Sequence, residues 1–144
     1  MMNRLNLDAP THLTEALRTN MSGGRTVAQL LSDAASLVPF ISMAELAERV
    51  TKNELGLVLL DVREKDAYAA GHIPGAQHLP RGQLELRVNK ELPDPTRRIL
   101  VCCEFGQIST LAAATLRDLG FTHATALEGG VKAWRENGLP LNAL

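Results

Sequence analysis

Short apolar runs alternating with helical stretches predict an α/β domain, with a mostly parallel central sheet, helices on both faces and an N-terminal helical extension. Three observations carry this reading. Leu57-Val58-Leu59-Leu60, Ile99-Leu100-Val101-Cys102 and the shorter stretch from Ala124 to Leu127 have the pattern of strands buried on both faces. Segments with helical periodicity separate them. The length of 144 residues, with 45% hydrophobic and 22% charged residues, suits one core and excludes disorder, a collagen-like chain and a coiled-coil rod. Aromatic residues are only 3%, so Leu, Ala, Val and Ile must build that core.

The chain divides near residue 39. Residues 1–38 are expected to form a helical extension and residues 39–144 the α/β domain. In the extension, Leu13, Ala16 and Leu17 make one short apolar face. Beyond the Ser22-Gly23-Gly24 break, Val27, Leu30, Leu31, Ala34 and Val38 recur at helical spacing until Pro39. These helices read as a cover for one edge of the domain; the alternative is an arm for homodimerisation or partner docking. Ser42, with Glu45 three residues on, is a capping box for a helix through Val50. Further helices are expected over Glu64–Ala70, Leu84–Val88, Ser109–Leu119 and Val131–Asn137. Gly120 and Gly138 stand where C-caps belong.

Several classes are set aside by composition. Fifteen basic residues against sixteen acidic ones leave a net charge of -1, which gives no reason to expect a nucleic-acid or membrane-surface partner. No stretch approaches the ~20 apolar residues of a membrane span. Arg4, Asp8, Pro10, Glu15 and Arg18 interrupt any signal-peptide block. The two cysteines, Cys102 and Cys103, are adjacent and point to opposite faces of a strand, which argues against a disulfide and for a reducing, cytoplasmic setting. His72, His78 and the cysteines lack zinc-ligand spacing, so no metal site is expected.

In open parallel sheets, ligands bind beyond the carboxyl ends of the strands. The chemistry should therefore lie in Asp61-Val62-Arg63-Glu64, in Cys103 to Ser109, and in Glu128-Gly129-Gly130. Cys103 is the most informative residue. It ends a buried strand, opens a tight glycine-containing loop and precedes a helix. Loop amides and the positive helix end would stabilise an anion on its sulfur. From position alone, a nucleophilic thiolate and an inert strand-end cysteine are equally open.

The motifs in their order resemble those of a single-domain rhodanese, a thiosulfate sulfurtransferase-like family, over residues 41–140. Asp61-Val62-Arg63-Glu64 is similar to the family's D-V-R-E turn. Tyr68-Ala69-Ala70-Gly71-His72-Ile73-Pro74-Gly75-Ala76 is similar to its signature of an aromatic residue followed by x-x-G-H-I-P-G-A. Leu127-Glu128-Gly129-Gly130-Val131-Lys132-Ala133-Trp134 resembles its closing L-x-G-G-x-x-A-W motif, and Cys103 falls where the family has its catalytic cysteine. The resemblance implies sulfur transfer through a persulfide on Cys103, with no cofactor. The donor would be a small sulfur compound such as thiosulfate, or a persulfide, including one carried by a protein. The acceptor would be cyanide or a thiol. The loop of Glu104, Phe105, Gly106, Gln107, Ile108 and Ser109 would bind the persulfide, and Asp61 and Arg63 would support it from beneath. His72, Tyr68 and Trp134 read as structural.

Two features qualify that expectation. Many rhodaneses carry a cation after the cysteine or near the loop's end, where this chain has Glu104 and Ile108. Glu104 is therefore expected to repel thiosulfate, with Arg63 and Arg81 the candidates to compensate, and a persulfide is expected to be the better donor. A cysteine phosphatase or arsenate reductase would need C-x5-R, but the required position holds Ser109 and the loop reads one residue too short for phosphate. A catalytically silent rhodanese module for protein interaction is the other alternative.

Overall fold

The computed structural model describes residues 24–144. In chain order the elements are α1 (Val27–Leu37), β1 (Phe40–Ile41), α2 (Met43–Thr51), β2 (Val58–Asp61), α3 (Lys65–Ala70) and β3 (Gln77–His78). A 3-10 turn (Arg81–Gln83) then leads into α4 (Leu84–Glu91), β4 (Ile99–Cys102), α5 (Gln107–Asp118), β5 (Ala124–Leu127) and α6 (Gly130–Glu136). The five strands form one sheet in the order β1-β5-β4-β2-β3. Every pairing is parallel.

Alternation along the buried strands feeds two cores, one on each face. Val58, Leu60, Ile99, Val101, Ala124 and Ala126 turn to one face, where Leu84 and Val88 of α4 and Ala112, Ala113 and Leu116 of α5 cover them. Leu59, Leu100, Cys102 and Leu127 turn to the other, against Leu46 of α2, Tyr68 of α3, and Val131 and Trp134 of α6. The chain's single tryptophan is fully buried there, and its indole N–H donates to the Pro140 carbonyl at 2.7 Å. Burying so large a ring without leaving its N–H unpaired is what makes it an anchor.

Several expectations are sharpened. The helix ends fall within two residues of those expected, apart from α4, which continues to Glu91. Strands β1 and β3 have two residues each, too few for a period-2 pattern, and are absent from the sequence reading. Ser42 accepts from the Glu45 N–H, while the Glu45 carboxylate turns outward to Arg49 and Arg98, so the cap is half of the expected box. The reciprocal box is at Thr26 and Gln29 of α1. Helix α1 packs on α5 rather than along a strand edge. The helix expected around Leu13–Leu17 lies outside the described residues. Among the described residues, no helix is long and apolar enough to cross a membrane.

The two cysteines separate as strand geometry requires. Cys102 is fully buried in the core beneath α6 and Cys103 faces the α5 side. Burial, reinforced by the charge of Asp61, pushes the Cys102 thiol well above its ordinary pKa, so it stays a neutral apolar filler. Cys102→Ala should cost ~1–2 kcal/mol of stability through lost packing and leave any chemistry at Cys103 in place. Denaturant melts alongside a turnover assay check this; a folded Cys102→Ala variant without turnover would refute it.

Candidate active site

Chain order decides where a crevice opens. From β2 the chain moves outward to β3, and from β4 it moves the opposite way to β5. The loops leaving β2 and β4 therefore diverge, and the gap between them is a topological switch point. Asp61 and Cys102 are register partners at the ends of these strands, which sets Val62-Arg63-Glu64 beside Cys103-Glu104. The resulting cleft, of about 340 Å³, is bordered by Val62, Arg63, Ala67, Arg81, Cys103 and Ile108, among others. A second hollow of about 150 Å³ continues past Cys103 along Phe105, Gln107 and Ile108. A larger hollow of about 470 Å³ runs along α2, away from the cysteine. Its side chains pair with one another, Lys52 with Glu48 and Arg49 with Glu45, and present no reactive group.

Cys103 lies one residue beyond β4 and is 2% exposed. Its sulfur accepts the N–H of Gly106 at 3.1 Å and of Ser109 at 3.2 Å, and its thiol lies 3.3 Å from the Ser109 hydroxyl oxygen. Gly106, with φ of +106°, is the N-cap of α5, and the reversal it permits turns its N–H inward. Its carbonyl accepts from the Ser109 and Thr110 hydroxyls at 3.1 and 2.7 Å, which locks the turn. Thus a 12-residue helix begins at the sulfur, which takes two of the N–H groups that have no partner inside the helix. Of the amides expected from Glu104 to Ser109, those of Gly106 and Ser109 reach it. Phe105 and Ile108 instead stand at the rim, 65% and 50% exposed.

Beneath the loop, Asp61 and Arg63 pair as expected. Arg63 donates from Nε to both Asp61 carboxylate oxygens at 3.1 and 3.2 Å, and from a terminal nitrogen at 2.9 Å. It also reaches the Gly71 carbonyl at 2.7 Å. Burial opposes its charge, but the hydrogen bond and charge of Asp61 outweigh burial and hold the guanidinium above its ordinary pKa. The Tyr68 ring stacks between His72 and His78, at centroid distances of 4.0 and 4.6 Å. His72 Nδ1 donates to the Tyr68 carbonyl at 2.9 Å and His78 Nε2 to that of Arg63 at 2.7 Å, so both imidazoles are structural.

Glu104 differs from expectation. It does not face the cleft as a bare charge. Arg135 of α6 grips its carboxylate at 2.9 and 3.3 Å, and Arg63 touches the same group at 3.3 Å. The Arg135 hydrogen bond, aided by the charges of both arginines and opposed by partial burial, holds the Glu104 carboxyl below the usual carboxylate range. Arg81 does border the cleft, but is engaged with Glu85 at 2.9 Å and Thr115 at 3.4 Å. Arg135 is absent from the sequence reading because a charged residue on an amphipathic helix reads as a solvated face. Nothing local marks it as a partner of a loop 31 residues away.

The Glu128-Gly129-Gly130 turn, expected at this rim, meets the loop through Gly130. The loop's carbonyls at Cys103 and Glu104 accept the Val131 and Lys132 N–H groups at 2.8 and 2.9 Å, so the loop rests on the start of α6. Gly130, with φ of +67°, makes that approach possible, since a Cβ there would lie 2.3 Å from the Glu104 carbonyl oxygen.

Residues 42–137 match the rhodanese-like domain family. The thiosulfate sulfurtransferase GlpE of Pseudomonas putida is 40% identical over 92 residues, covering 63% of this chain and 80% of that one. The putative sulfur carrier protein YrkF of Bacillus subtilis is 37% identical over 103 residues, covering 72% of this chain and 54% of that one, so the chain spans about half of YrkF's length. Among solved structures, a protein of unknown function from Rhodopseudomonas palustris, described as a possible tyrosine phosphatase, superposes with a TM-score of 0.73. It is 28% identical, with 82% of this chain and 95% of that one covered. The matched span runs from Ser42 past the Cys103 loop to the end of α6, and on it we place the chain in the rhodanese-like domain family.

Proposed function

We propose that this sulfurtransferase works through a persulfide on Cys103. The observation that carries the reading is the convergence of the Gly106 and Ser109 amides on a sulfur at the floor of an open cleft. In the first step the Cys103 thiolate attacks the outer sulfur of thiosulfate. An S–S bond forms to Cys103, the S–S bond of thiosulfate breaks, and sulfite leaves with the electron pair. In the second step cyanide attacks the outer sulfur of the Cys103 persulfide, releasing thiocyanate and regenerating the thiolate. A thiol acceptor would leave as a persulfide in the same way. Dividing the transfer into two displacements is covalent catalysis.

The loop supplies what the intermediate needs. A persulfide extends one atom beyond the present sulfur and carries a negative charge, which preorganised N–H donors and the α5 terminus stabilise. Asp61 and Arg63 hold the floor of the loop in register with β2, and Glu104 to Ser109 form its wall. A phosphatase reading lacks its essential cation, since position 109 holds a serine whose hydroxyl faces the thiol. Intact mass spectrometry after incubation with thiosulfate tests the proposal. One added sulfur, removed by cyanide, is the expected result. Intact folded protein that gains no sulfur from thiosulfate or from a small persulfide would favour the silent interaction module.

A further inference from the structure

Four charges form a row that runs from beneath the Cys103 loop to its outer side. Asp61 pairs with Arg63, Arg63 with Glu104, and Glu104 with Arg135. The signs alternate and sum to zero. Arg63 is 5% exposed along its side chain and has three protein partners, which engage four of its five N–H donors. Arg135 is 46% exposed and is turned onto the loop by Glu104. The remaining cation at the cleft, Arg81, is countered by Glu85. The reactive sulfur therefore shares its cleft with Arg63 and Arg81, whose charges are countered by carboxylates, with Glu64, and with walls supplied by Val62, Ala67 and Ile108.

We infer that Glu104 sets the charge of the sulfur donor this site accepts, by neutralising Arg63 and Arg135 and so disfavouring dianionic donors relative to those of lower charge. This rests on the persulfide reading of Cys103. Glu104 is a specificity-determining residue here and takes no part in bond making. Opposite charges this close lose most of their field a few ångströms away, so an approaching dianion feels little net attraction. Removing one member of the row leaves an uncompensated charge of the other sign beside the cleft, and the effect scales with the charge of the donor.

The test compares two anions that react identically but differ by one charge. Thiosulfate releases sulfite, and methanethiosulfonate releases methanesulfinate; each gives its outer sulfur to the Cys103 thiolate. The readout is the ratio of kcat/KM for thiosulfate to that for methanethiosulfonate at low ionic strength. Glu104→Gln should raise this ratio roughly fivefold, mainly through KM, and Arg135→Gln should lower it about as much. The double variant should return it near the wild-type value, and 0.5 M salt should erase most of each change. A purely structural clamp would reduce both donors' rates together in all three variants and leave the ratio still, which would overturn the inference. So would Glu104→Gln and Arg135→Gln moving the ratio in the same direction. Wild-type protein that takes sulfur from neither anion overturns the inference, and if a small persulfide also fails to load it, the persulfide reading itself falls, a result distinct from an active enzyme with an unmoved ratio.

Discussion

Cys103→Ser should abolish sulfur transfer while leaving the fold intact. An alkoxide is far less accessible than a thiolate at neutral pH, and an oxygen cannot form the S–S bond that holds the transferred atom. The loop should tolerate the change. A serine oxygen could still receive the Gly106 and Ser109 N–H groups, now at 3.1 and 3.2 Å from the sulfur, and the site is already polar around the Ser109 hydroxyl. We expect kcat/KM for thiocyanate formation to fall by at least about a thousandfold, and the intact mass to show no added sulfur. Melting should stay close to wild type. Residual transfer within tenfold of wild type, or a sulfur adduct mapped to Cys102, would refute the assignment. The second outcome is opposed by the complete burial of Cys102 and by the raised pKa that burial imposes on its thiol.

Much of this site was legible before any coordinates. The runs at Val58–Leu60 and Ile99–Cys102 are apolar at every position because both faces of those strands are covered, and a fully buried parallel strand leaves that mark. Once the strands are placed, chemistry at their carboxyl ends follows, and so does the separation of Cys102 from Cys103. The support that Asp61 and Arg63 give the loop came instead from the resemblance of Asp61-Val62-Arg63-Glu64 to the family's D-V-R-E turn.

What escaped the sequence depends on contacts between distant elements. A two-residue strand such as Gln77–His78 has no periodicity and exists because its backbone completes the edge beside β2. Glu104 read as an exposed acid because the loop holds no cation of its own; its partners come from the β2 turn and from α6. Charge pairing across 31 residues is a tertiary property, invisible to spacing. It also reverses the sense of the residue. Glu104 is the middle of a balanced row and not an isolated repulsive charge.

The glycine pair that starts α6 is the most demanding position outside the cysteine. Gly130→Ala should both destabilise the protein and disable the loop. At φ of +67° an alanine costs ~1–3 kcal/mol in conformation alone. Its Cβ would also stand 2.3 Å from the Glu104 carbonyl oxygen, 2.6 Å from the Glu104 carbonyl carbon and 2.7 Å from the Cys103 carbonyl oxygen. These are backbone atoms that cannot rotate away, so relief requires the loop to lift off α6. Lifting it would break the bonds from Val131 and Lys132 to the Cys103 and Glu104 carbonyls and displace the Gly106 amide from the sulfur. Overpacking of this kind adds ~1–3 kcal/mol. We expect a total loss of about 2–6 kcal/mol by denaturant melts and, in whatever fraction folds, a fall in kcat of at least about a hundredfold. Gly120→Ala is the matched control. It too has positive φ, at +98°, but nothing lies within 4 Å of its Cβ position, so it should cost only the conformational part and leave kcat near wild type. Equal stability losses in the two variants, with kcat untouched in both, would show that the loop does not depend on its seat against α6.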